Sequence, residues 1–431
     1  MTLKRQRLGT VATSAVSVLG LVGMGLVGGL PASAASKVVI EFAASPIANI
    51  GLRSHLISMF NSTHPGIEVK LISEPNNTDT YRAQLVTQIS SGSTTPDVFM
   101  GDVIWPAQFG HAHLALALSR YLPHTFFKRF APGLVQGASY HGHVYGAPFF
   151  MDAGFFYYRK DLLKKANLPV PHTWEQVVSD SKILQSRHLV KYGYVFQGKA
   201  YEGLTCDWME FMTDAGGKVF GPGGKVAIDS PASLKALTFM RSLITSGISP
   251  AAETTFQEAQ SMNVFMEGQS AFLRNWDYAY SLSQTGKGTK VKGDVGVEPM
   301  PTFQGQSWPG YSNIGGWNLY VNPHTRHLKQ DLAFIDWMTG VKAQTFMATF
   351  GSEIPTNYTV QKSPKVRAQN PVLNIVSKVR LVPRPSGTPA YPKVSSAIYT
   401  NINAALAGSV SPAAALKAAA QGILRATHSG L

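Results

Sequence analysis

The sequence predicts an α/β fold. Three observations predict it. Strand-like and helix-like stretches alternate from residue 37 onward, which is the pattern of a sheet covered by helices. The length of 431 residues suits two or three domains rather than one. Gly- and Pro-rich breaks at 214–224, 284–294 and 299–310 divide the chain into long segments.

The elements follow in order. Lys37-Val-Val-Ile-Glu-Phe-Ala reads as a first strand, and 52–61 as a helix stopped by His64-Pro65-Gly66. Ile67-Glu-Val-Lys-Leu-Ile alternates apolar and polar residues, as a half-buried strand does. Tyr81, Leu85, Val86 and Ile89 share one side of a helix over 79–91. Asp97-Val-Phe-Met-Gly is a short buried strand, and Asp102 follows it directly. Ligands of such sheets lie beyond the carboxyl ends of strands, so Asp102 is placed at a crevice edge. Helical stretches recur at 173–186, 231–246, 255–267, 328–339 and 343–350, and an Ala-rich helix closes the chain at 411–427.

Composition narrows the function classes. Hydrophobic residues at 44% can bury a sizeable core, while charged residues make up only 14%. Soluble domains carry roughly 25% charged residues, so the surface here is polar through Ser, Thr, Asn, Gln and Gly. The formal net charge is +14, yet Lys and Arg are scattered, which argues against nucleic acid as a partner. The one cysteine, Cys206, excludes a disulfide framework and a Cys-based zinc site. Its apolar surroundings mark it as a small buried hydrophobe.

Lys4, Arg5 and Arg7 precede an uncharged run from 8 to 30, then Pro31-Ala32-Ser33-Ala34. This is the layout of a secretory signal over 1–34, cleaved after Ala34. The run of 23 uncharged residues is also long enough for a retained anchor. Either way the expected location is extracytoplasmic, with a mature charge of +11 once Lys4, Arg5 and Arg7 are gone.

Four segments join aromatics to a carboxylate or guanidinium: Phe149-Phe150-Met-Asp152, Arg274-Asn-Trp276-Asp-Tyr278, Gly315-Gly316-Trp317-Asn318 and Pro383-Arg384-Pro385. Charged groups hold hydroxyls in fixed geometry, and flat rings suit the C–H faces of a sugar. An aromatic cluster is more often core than ligand platform. A Trp beside a Gly pair, or an Arg between two prolines, is harder to explain by packing. Two competing chemistries fit parts of the pattern. Asp102 and Asp152 could form a glycosidase pair, and His111-Ala-His113 with His141-Gly-His143 has metal-ligand spacing. Chance and local bonding account for the His pairs more simply, and no metal or other cofactor is expected.

From Lys37 onward the chain resembles the family 1 extracellular solute-binding proteins of ABC sugar importers, and within them the trehalose/maltose-binding proteins. The resemblance is carried by Pro96-Asp-Val-Phe-Met-Gly-Asp102-Val-Ile-Trp, Asp152-Ala-Gly-Phe-Phe-Tyr-Tyr-Arg and Phe196-Gln-Gly-Lys-Ala-Tyr-Glu-Gly-Leu-Thr-Cys-Asp, together with Arg274-Asn-Trp-Asp-Tyr, Gly315-Gly-Trp and Val382-Pro-Arg-Pro, in that order. It implies the two-lobed periplasmic-binding-protein fold of type II, with a ligand cleft and a hinge crossed several times. One lobe would hold 37–146 and 299–352, the other 147–298 and 353–431. It implies a non-catalytic receptor, a monomer that closes around a di- or oligosaccharide and is met by membrane permease subunits. Asp102, Asp152 and Arg82 match positions that bind sugar hydroxyls, and Trp276, Trp317 and Arg384 match stacking and clamping positions beside the Gly316 backbone. Two positions depart from the pattern. Ala48-Asn49-Ile50-Gly51 lacks the family's Glu, with Asn49 as its partial replacement, and Phe150 stands where a Tyr is usual. These departures leave the sugar open, with another sugar or a polyol as the alternative.

Overall fold

A computed structural model describes residues 36–46 and 50–428. The segment read as a secretory signal and residues 47–49, Asn49 among them, lie outside the described residues.

The first strands form as their alternation requires. β1 (Val38–Ala44) and β2 (Ile67–Ser73) pair in parallel over seven residues, from Val38 opposite Ile67 to Ala44 opposite Ser73. The helix between them, Ile50–Thr63, buries Leu52, Leu56, Ile57 and Phe60. Helix Thr78–Ser90 buries Tyr81, Leu85 and Ile89, and its N-cap Asn77 accepts from Thr80 N at 3.0 Å. The Tyr81 hydroxyl donates to Ala43 O at 3.0 Å, pinning this helix to the sheet. β3 (Val98–Asp102) is buried throughout and lies parallel to β1.

A short hairpin follows, β4 (Ser139–Tyr140) with β5 (His143–Val144). β6 (Ala147–Ala153) and β7 (Phe155–Arg159) are separated by Gly154 alone, yet they belong to different sheets. Later come β8 (Tyr192–Val195), β9 (Ser270–Asn275), β10 (Val295–Glu298), β11 (Tyr311–Val321), β12 (Ile354–Pro355) and β13 (Arg380–Val382). Among the described residues the larger sheet runs β12-β6-β11-β3-β1-β2, with β13 added alongside β11. The smaller sheet runs β10-β7-β9-β8.

Among the described strands the chain therefore passes between the sheets twice, at Gly154 and again between β10 and β11. β11 is the long strand that joins the halves of the large sheet. It is antiparallel to both β3 and β6, with an irregularity between Trp317 and Asn318.

Helix ends carry their expected chemistry. Thr173 and Gln176 form a capping box at the start of Trp174–Ser186, and Ser230 caps Pro231–Thr245. The stretch expected as a helix over 255–267 is helix Glu258–Met266, preceded by a 3-10 turn, Ala251–Thr255. The stretch at 343–350 is helix Val341–Phe346 running into a π-helical turn, Met347–Gly351. Helix Pro412–His428 packs on Tyr391–Leu406 through Leu416, Ala419 and Ile423. No described helix is long and apolar enough to cross a membrane.

Candidate functional site

A cavity of about 370 Å³ lies at the carboxyl end of β3, where the crossing strands meet. Its walls include Asp102, Asp152, Trp276, Gly315, Gly316, Trp317 and Arg384. Six of the residues singled out from the sequence are thus brought to one space from five separate segments.

Asp102 ends β3 and faces Trp317 across the β3–β11 ladder. Its two oxygens accept from Arg384 at 2.8 and 3.2 Å, a two-pronged pair, and Oδ1 also accepts from Ile104 N at 3.2 Å. Arg384 follows β13 and is buried. Beyond Asp102 it donates to Ile314 O at 3.3 Å and to Glu202 Oε1 at 3.0 Å. Glu202 opens helix Glu202–Asp214. Its carboxylate also accepts from the Tyr391 and Ser395 hydroxyls, each at 2.6 Å. Burial pushes the Glu202 carboxyl up to about 7, against the downward pull of Arg384.

Asp152 sits on β6, one residue before the chain turns to the second sheet. Its Oδ1 accepts from Ala153 N at 2.9 Å and Asp277 N at 3.0 Å. Asp277 in turn accepts from Tyr278 N and Ile354 N, both at 2.7 Å. Burial drives both carboxyls upward, Asp152 to about 8, and the Asp152 charge further opposes ionisation of Asp277, while hydrogen bonds from Asp277 pull Asp152 back down. Two such carboxyls retain a proton near neutrality. Asp277 thereby ties Asp152 on β6 to Ile354 on β12.

The aromatic wall depends on glycine. A Cβ on Gly315 would come within 2.8 Å of the Trp276 ring. Gly316 has φ +126, and a Cβ there would lie 2.7 Å from Phe150 O, a conformation closed to other residues. The Arg274 guanidinium lies 4.0 Å from the Trp276 ring centroid. Arg274 is itself fixed by Glu210 at 2.6 and 3.0 Å, by Asp207 at 3.1 Å and by Gln197 at 3.0 Å. The indole N–H of Trp276 points to Glu258 at 3.4 Å. Trp317 meets Trp105 edge-on, centroids 6.1 Å apart.

The structure places other sequence-singled residues elsewhere. Arg82 lines a second cavity of about 620 Å³, near Gln108 (3.4 Å) and Asp79 (4.0 Å). Phe150 does not line either cavity; it is buried in the core under the Arg53 guanidinium. Asn49 lies outside the described residues. Cys206 is buried at the cavity wall, and burial pushes its thiol well up. Among the described residues no group of three or more His, Cys, Asp and Glu is disposed to hold a metal ion.

Sequence reasoning missed Glu202, Asp79 and Tyr278. Glu202 and Tyr278 lay inside quoted motifs but were given no role. Only the pairing of distant segments assigns one. Chemically, the site offers buried acceptors, a guanidinium and two indoles around a small space. Asp102 and Asp152 are each held by fixed hydrogen bonds.

Residues 40–345 match the model of the bacterial extracellular solute-binding proteins. The chain belongs to this family. Its members are substrate-binding proteins of ABC transporters, not enzymes. A Deinococcus radiodurans protein described as a probable ABC transporter-binding protein is 35% identical over 363 residues, covering 82% of this chain and 85% of that one. A mannitol-binding protein of Pseudomonas aeruginosa is 24% identical over 397 residues, covering 86% and 88%. Among solved structures, maltose-bound MalE3 of T. maritima superposes with a TM-score of 0.85 at 34% identity, covering 90% of this chain and 99% of that chain. The fold of this family member is accordingly the two-lobed, type II arrangement of mixed α/β lobes.

Proposed function

We propose that the protein is the receptor of an ABC importer for a sugar, and that it holds a di- or oligosaccharide of the maltose or trehalose kind between its lobes. The observation that carries this reading is the cavity in which Trp276 and Trp317 stand with Asp102, Asp152 and Arg384. Stacking faces beside charged acceptors and donors suit a ring whose edges carry hydroxyls and whose faces do not. The volume of about 370 Å³ is at the small end of ligand sites, which span roughly 300–1,000 Å³, and fits one or two rings.

In this reading 37–146 with 299–352, and 147–298 with 353–431, move as two lobes about the crossings. The sugar binds their closed arrangement better and shifts the population toward it. The protein acts outside the cytoplasm as a monomer that hands its ligand to membrane permease subunits. A polyol is the second reading, favoured by the mannitol-binding relative.

The test is a thermal-shift screen against monosaccharides, disaccharides and polyols, followed by calorimetry. A ligand of the folded state raises Tm by mass action. Trp276→Ala is expected to weaken the best ligand by about 10-fold or more, the equivalent of ~1.4 kcal/mol. No shift with any sugar or polyol overturns the reading, as does turnover of a bound disaccharide.

A further inference from the structure

The two cavities both draw on helix Thr78–Ser90. Thr78 lines the sugar cavity and Arg82 the second one, one turn apart on the same helix. Between them, Asp79 Oδ2 accepts the backbone N–H of Glu202 at 3.0 Å. Glu202 lines the sugar cavity. Behind it, Tyr391 and Ser395 hold its carboxylate, while Pro392, Lys393, Ser396 and Tyr399 of the same helix line the second cavity.

Asp79 also serves as a cap supplied from afar. Helix Glu202–Asp214 has Tyr201 at its N-cap, which makes no side-chain capping bond. The orphan N–H of Glu202 is instead satisfied by a carboxylate 123 residues away. Asp79 belongs to the helix pinned to β1, whereas Glu202 opens a helix packed on Pro231–Thr245 and Tyr391–Leu406. The contact therefore bolts two elements together beside the sugar-cavity residues Thr78 and Glu202.

We infer that the Asp79–Glu202 contact sets the length of ligand the protein accepts. It ends the sugar cavity at about two rings and reserves the second cavity, which becomes a subsite for a further sugar unit only when the bolt is removed. The inference rests on the sugar reading above. The second cavity has the chemistry for that unit: Arg82, Gln108, Lys393, Ser396 and Asn401 offer donors and acceptors, and Tyr399 a ring. A third ring reaching the intact contact would meet packed atoms and displace the Asp79 hydrogen bond, the kind of penalty by which a site rejects a near neighbour of its ligand.

The experiment is calorimetry of the full chain, Asp79→Ala and Asp79→Asn against glucose, maltose, maltotriose and maltotetraose, with circular dichroism to confirm folding. The parent is expected to lose at least ~10-fold in affinity from maltose to maltotriose. Asp79→Ala is expected to bring the two within about 3-fold. Asp79→Asn, which keeps an acceptor and the bulk, is expected to retain the parental profile. Tyr399→Ala placed in the Asp79→Ala background is expected to weaken maltotriose and leave maltose unchanged. Equal binding of maltose and maltotriose by the parent overturns the inference, as does an unchanged ratio in a folded Asp79→Ala. Failure of the parent to bind any member of the series, while it still binds another sugar in the thermal-shift screen, overturns this inference and leaves the broader sugar reading standing; failure in both removes the two together.

Discussion

Replacing Arg384 by Met tests the centre of the site. Met keeps an unbranched stem and deletes the guanidinium. Arg384 is 6% exposed, and its partners Asp102 and Glu202 are 5% and 4% exposed. Removing it strands two buried carboxylates that now share one cation, along with a hydrogen bond to Ile314 O. Removing one partner of a buried pair costs about 3–5 kcal/mol, so that loss is expected at pH 8 in urea unfolding. The loss should shrink at pH 5. Burial already raises Glu202 to about 7 with Arg384 pulling it down; without that pull it rises further. The folded variant then takes up a proton that the unfolded chain lacks, and this uptake stabilises it as pH falls. A loss under about 1 kcal/mol at pH 8 would refute the claim that the pair is buried and uncompensated. So would a loss that is the same at both pH values.

Two further substitutions read other parts of the site. Gly316→Ala places a Cβ 2.7 Å from Phe150 O at φ +126; about 1–3 kcal/mol of stability is expected to be lost in denaturant titration, with weaker ligand binding because Trp317 and Asp152 flank the displaced strand. Glu202→Gln removes a carboxyl whose native pKa, about 7, exceeds its ordinary 4.5. Between those values the folded parent holds a proton that the unfolded chain releases. That term lowers parental stability as pH rises across the window, by up to about 1.4 kcal/mol per unit. The difference between parent and variant should therefore vary with pH in that window and be flat above it; a difference constant from pH 4 to 8 would contradict the assigned shift.

Much of the fold was legible because its periodicities are local. The residues of β1, β2 and β3 and of helices Thr78–Ser90 and Trp174–Ser186 fall where alternation, caps and Pro-Gly stops put them. Helix Glu202–Asp214 was not read as a helix. Nearly every residue in it is buried, so it shows no polar face and no stripe to detect. β11 escaped notice because Gly315 and Gly316 interrupt its β pattern in the middle. In the site, Asp102 was legible from its position after a strand. Arg384 was legible only as an oddity between prolines, since its partners lie 282 and 182 residues away. The role of Asp79 had no local signal at all: an Asp in the first turn of a helix ordinarily serves its own helix, and this one serves another.

The same long-distance pairing bears on how the chain assembles. Strand β3 finds its antiparallel neighbour only in β11, more than two hundred residues later, and Arg53 finds Glu353 three hundred residues on. During synthesis from the N-terminus, β1, β2 and β3 can pair early, but one flank of β3 stays open until β11 emerges. An unpaired flank invites wrong partners, and contacts of such separation slow folding through the entropy of closing long loops. Helix Tyr391–Leu406, made well after helix Glu202–Asp214, clamps the start of that helix through Tyr391 and Ser395. Trimming the chain ahead of Tyr391 would thus leave an unfinished intermediate rather than a shorter native protein.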